Sequence, residues 1–122
     1  MNRTFQVAFH VPGTLTANLS IVWTAPFDCQ LIHVCSVGSN ANDGLMTVGT
    51  TTDPDGYITS HSIGDSDVPV EKEAITDFAG ALAGSQYPHI TNGTVLQIVL
   101  DYDGAGGTAT DDFTVVLTFT EG

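Results

Sequence analysis

The sequence predicts an all-β protein, a single domain spanning residues 1–122 and folded as an antiparallel β-sandwich, jelly-roll-like, of about eight strands. Three observations lead there. Apolar and polar residues alternate with period two in one run after another, which marks strands with one buried face. Gly, Pro, Asn and Asp gather between the runs, where chain reversals need them. At 122 residues, with 42% hydrophobic and only 13% charged residues, the chain is long enough for one core and too short for two.

The first strand is "TFQVAFHV", with Phe5, Val7, Phe9 and Val11 on one face and Gln6, Ala8 and His10 on the other. Pro12 and Gly13 are expected to break it. "TLTANLSIVWTA" then resumes with Leu15, Leu19, Ile21 and Trp23 in phase, and Pro26 ends this second strand. "CQLIHVCSV" is apolar on both parities and predicts a strand covered on both faces. Asn42–Gly44 supplies a turn before "LMTVGTT", and Asp53, Pro54, Asp55 and Gly56 match the positions of a type I turn that joins it to "YITSHSI" as a hairpin. "VPVEKEAI" reads as an edge strand, because Pro69 and the charges of Glu71, Lys72 and Glu73 discourage further pairing. "TDFAGALAGSQYPHITNG" reads as a loop with at most one helical turn. Two strong strands close the chain: "TVLQIVLDY", with Leu96, Ile98 and Leu100 in phase, and "DFTVVLTFTE", with Phe113, Val115, Leu117 and Phe119 opposite Thr114, Thr118 and Thr120.

Charge bounds the partners. Fourteen acidic residues face two basic ones, Arg3 and Lys72, for a formal net charge of −12. Phosphate backbones are repelled by such a surface, since nucleic-acid affinity rests on Lys and Arg displacing counterions; no nucleic-acid partner is expected. No run of about 18 apolar residues is present, and the N-terminus lacks the pattern of a signal peptide, so no membrane partner and a cytosolic origin are expected. Cys29 and Cys35 lie on one extended strand, about 20 Å apart at about 3.3 Å per residue. That span is too long for a disulfide, so both are expected to be free, buried thiols.

Two acidic stretches invite a metal reading. From Asp53, Gly56 arrives too early for an EF-hand loop, and Gly64 stands where the closing acid belongs. In "DYDGAGGTATDD", Asp101, Asp103, Gly106 and Asp112 fit four of the loop positions, but Ala105 occupies a ligand position and strands replace the flanking helices. Asp101, Asp103 and Asp112 are therefore weak calcium candidates, set against the commoner use of such side chains as acceptors for turn amides. His10, His33, His61 and His89 have no metal-ligand spacing, and no GxSxG, GxxxxGK or HExxH motif occurs, so neither catalysis nor a cofactor is expected. Trp23 falls on the apolar face of its strand, which favours a core role over sugar stacking.

Three segments, "VPGTLTANLSIVWTAPFDCQLIHV", "NANDGLMTVGTTTDPDGYI" and "GTVLQIVLDYDGAGGTATDDFTVVLTFTEG", resemble small jelly-roll structural proteins of tailed bacteriophage virions, through a "PG-L-T" start, an "APF" before the third strand, a D-x-D turn and a terminal strand. The resemblance is weakest from Asp65 to Pro88. It implies a capsid decoration (cement) protein, a homotrimer seated on the major capsid protein at the exterior of the virion and assembled in the bacterial cytoplasm. Acidity that repels packaged DNA agrees with that position. Within this reading, Arg3 and Phe5 of the N-terminal segment are the first candidates for partner contact. The alternative is a tail- or fibre-associated module for host attachment that binds carbohydrate or calcium.

Overall fold

The computed structural model describes residues 3–79 and 85–122. Two antiparallel sheets face each other, built from nine strands among the described residues: β1 (Thr4–Thr14), β2 (Leu19–Thr24), β3 (Cys29–Val37), β4 (Leu45–Thr50), β5 (Ile58–Ser62), β6 (Val70–Lys72), β7 (His89–Ile90), β8 (Val95–Asp101) and β9 (Asp111–Glu121). One sheet has the order β1-β9-β3-β6, with β7 also on β3; the other has β2-β8-β4-β5. No α-helix occurs among the described residues; a 3-10 turn spans Ile75–Asp77, from the last residue of the expected edge strand "VPVEKEAI" into the stretch read as a loop with at most one helical turn.

The topology is a folded ribbon. β4 and β5 form the hairpin at its tip, and β3 with β6, β2 with β8 and β1 with β9 pair outward from it. Rolling the ribbon brings β9 against β3 and β8 against β4, which closes the two sheets of a jelly roll. The C-terminal strand thus lies in the middle of its sheet, and its Phe113, Val115, Leu117 and Phe119 are buried against Leu96, Ile98 and Leu100 of β8 in one core.

Three local readings change. Pro12 and Gly13 bulge β1 without ending it: Val11 still pairs with Phe113 and Thr14 with Asp111, while Gly13 takes a positive φ of 81°. The second strand accordingly starts at Leu19, and Leu15 is buried in the connection. In β3, apolar residues on both parities reflect a bulge and not cover on both faces. Leu31 pairs with Phe119 and His33 with Thr118, so Ile32 is an extra residue that shifts the inward phase from Cys29 and Leu31 to Val34 and Ser36. Cys35 therefore sits on the outer face, half-buried, while Cys29 is in the core; both are free. Part of the long stretch after β6, residues 80–84, lies outside the described residues.

The "DPDG" stretch is a chain reversal. Gly56 N–H donates to the Asp53 carbonyl at 3.0 Å, Thr50 N–H donates to the same oxygen at 2.9 Å, and Tyr57 N–H closes the hairpin on Val48 at 2.9 Å. Asp53 and Asp55 lean together, and the hydrogen bond between their carboxyls holds the Asp53 pKa above its ordinary value.

Candidate functional surfaces

Five of the fourteen acidic residues, Asp28, Asp43, Asp77, Asp101 and Asp112, serve as side-chain acceptors for backbone amides. Asp112, at φ 50° where β9 begins, accepts from Gly13 N–H at 2.7 Å and from the Ser39 hydroxyl at 2.8 Å, and these bonds hold its carboxyl below the usual range. Asp101 accepts from Asp103 N–H at 3.1 Å, and Asp103 itself contributes a left-handed φ of 46° to the bend. From the neighbouring loop Asp43 accepts from Thr108 N–H at 2.8 Å, and across the molecule Asp28 accepts from Asn92 N–H at 2.8 Å. Among the described residues no group of three or more His, Cys, Asp or Glu is placed to hold a metal, so Asp101, Asp103 and Asp112 do not converge on one.

The histidines are equally dispersed. His33 Nε2 lies 3.2 Å from Glu71 Oε1 across the β3–β6 pair, and His10 Nδ1 lies 2.7 Å from Thr114 Oγ1. His61 on β5 has Nδ1 3.1 Å from the Thr59 carbonyl, which makes Nδ1 the protonated nitrogen and leaves Nε2 buried with no donor among the described residues. Burial pushes its pKa down.

Arg3 and Phe5, the candidates for partner contact, both have partners in their own chain. The Arg3 guanidinium meets Glu121 Oε2 at 2.7–2.8 Å, joining the start of β1 to the end of β9. Phe5 stacks on Phe119 with centroids 5.1 Å apart and meets Phe27 edge-on at 5.2 Å; Trp23 closes the cluster 4.9 Å from Phe119. Trp23 thus points inward, as its strand phase predicts.

This aromatic cluster lies at an incompletely closed side of the sandwich. β1 is the free edge of one sheet and β2 the free edge of the other, and both edges fall on the same side. Their inward residues Phe5, Val7, Phe9, Val11, Leu19, Ile21 and Trp23 are half-buried where those of β8 and β9 are fully buried. Between them runs an apolar crevice of about 10 Å³, room for no more than one water. A second hollow, of about 260 Å³ between Asn42, Gly44, Ser62, Gly64 and the Asp65–Val70 loop, is open to solvent and below the size of typical small-molecule pockets. Alternation identified the inward residues of β1 and β2 but not their place at an edge. A legible signal was passed over: no Asp, Glu, Lys or Arg occurs anywhere from Thr4 through Phe27.

The fold and these surfaces define an acidic jelly-roll sandwich. Among solved structures it is similar to a chain of the "Cyanophage Pam1 capsid asymmetric unit", with a TM-score of 0.61 over 98% of this chain and 82% of that chain, at 12% sequence identity. At that identity the likeness is one of fold. No family model matches the sequence, and no curated protein matches it.

Proposed function

We propose that this chain is a structural protein of a tailed-bacteriophage virion, and more specifically a capsid decoration protein that sits on the outside of the shell as a homotrimer and bridges neighbouring major capsid subunits. The observation that carries the reading is the likeness of fold to a cyanophage capsid chain along nearly the whole length of this one. The three sequence segments that resemble phage jelly-roll proteins support it independently. So does the charge: at −12, the chain is repelled by packaged DNA and suits the outer surface of a shell.

The mechanism is adhesion. Bridging two shell subunits buries surface that must be re-exposed before the subunits part, so each bound copy adds its binding free energy to the work of opening the shell. The test is to mix the purified chain with undecorated capsids of its phage. Saturable co-sedimentation at a fixed ratio to the major capsid protein, with a rise in the temperature at which the shell disrupts, is the expected result. Absence of binding at about 10 μM, well above the dissociation constants of specific interfaces, overturns the reading.

A further inference from the structure

We infer that copies of this chain meet one another through the β1–β2 side of the sandwich, so that this side faces the axis of the oligomer. The inference rests on the oligomeric part of the reading above and names the surface that serves it.

Two independent features of β1 and β2 point there. The first is exposed strand edge. Glu121 N–H donates to the Arg3 carbonyl, and the register runs unbroken from Thr4 to Val11, so Phe5, Val7 and Phe9 exchange their backbone bonds with β9. The N–H and C=O groups of Thr4, Gln6, Ala8 and His10 are thereby directed away from the sheet. Nothing in this stretch blunts the edge: it holds no Lys, no acid and no proline before Pro12. On the opposite side β6 is only three residues long and carries Glu71 and Lys72, and β5, the other edge there, is five residues long. Apolar surface accompanies the open edge. On the outer face of β2, Val22 is 57% exposed, and its diagonal neighbour Val95 on β8 is exposed beside it.

The second feature is charge, and it selects the occupant. None of the fourteen acidic residues lies on β1 or β2. A basic partner would be drawn to the acid-bearing loops and to the β5–β6 side. A second copy, carrying the same −12, is repelled from those regions, whereas along β1 and β2 it meets strands that carry no acid of their own.

The test compares the full-length chain with Ala8→Glu and Val22→Glu, two exposed positions whose change leaves the core intact, and with Val68→Glu, an exposed valine (66%) in the loop before β6. Native mass and sedimentation velocity are measured over a concentration series, with far-UV circular dichroism to verify the fold. The expected result is an oligomer for the parent and Val68→Glu, and association weakened more than about tenfold in each of the other two, because a buried unpaired charge is costly at an interface. An oligomer equally tight in Ala8→Glu and Val22→Glu, or one dissolved by Val68→Glu, overturns the inference. A parent chain that is monomeric at about 100 μM also overturns it. Capsid co-sedimentation of the same proteins is read separately, so loss of self-association with retained shell binding leaves the decoration role standing.

Discussion

At the scale of single residues, His61 and Asp112 carry opposite responses to acid. His61 is held neutral by burial, with its protonated Nδ1 facing the Thr59 carbonyl and with Lys72 as a like-charge neighbour and Asp77 as an opposing one. Its folded pKa is lowered, so below about pH 6.5 the unfolded chain binds the proton more readily and stability falls with pH. The melting temperature should drop by a few degrees between about pH 7.5 and about pH 5, and His61→Leu should flatten that slope; an unchanged slope in the variant would assign the effect elsewhere. Asp112 works at lower pH. Its lowered pKa means that its contribution is present above about pH 4 and lost as pH falls through the folded value. Asp112→Ala strips an acceptor from Gly13 N–H and Ser39, so it should melt below the parent at neutral pH. The gap between the two should narrow as pH falls through the folded value of the parent carboxyl.

At the scale of elements, the β4–β5 hairpin is folded tightly back on itself. A Cβ at Gly49 would overlap the Asp53 carbonyl oxygen and the backbone of Pro54 and Gly56, none of which can swing aside as a side chain can. Gly49→Ala should therefore cost about 1–3 kcal/mol, the range for overpacking, measured as a shift in denaturation midpoint at unchanged slope. A neutral result would mean that the turn has room that its hydrogen bonds deny. Strand faces were legible because each strand has one wet side, and the turn at Asp53–Gly56 was legible because its residues have set conformational roles. The β3 bulge was not, since one extra residue at Ile32 imitates two-sided burial in a linear pattern. Two-residue β7 is too short to show any period. The candidate interface was half legible: alternation places Phe5, Phe9 and Trp23 inward, but pairing order alone decides that they line an open side, and alternation fixes faces without fixing neighbours.

At the scale of the whole molecule, uncompensated acid governs the response to salt. Fourteen carboxylates share the surface with Arg3 and Lys72, and among the described residues the Lys or Arg ion pair is Arg3–Glu121, with 74% of the Arg3 side chain exposed. A pair so exposed contributes at most about 1 kcal/mol, so little attraction is lost when salt screens it. Repulsion among the carboxylates reaches across the molecule at low ionic strength, where the screening length is about 30 Å, and is confined to nearest neighbours when that length falls to about 3 Å at 1 M salt. Screening therefore relieves far more repulsion than attraction, and relieves most where copies of an acidic chain come together. The melting temperature should rise by about 5 °C or more between about 10 mM and about 0.5 M sodium chloride. Self-association should tighten over the same range, and Val22→Glu should depend on salt more steeply than the parent, having gained a charge on a strand that carries none. A melting temperature that falls with added sodium chloride would show that attractive pairs dominate the charge balance, and would remove the electrostatic reason for placing the oligomer contact on β1 and β2.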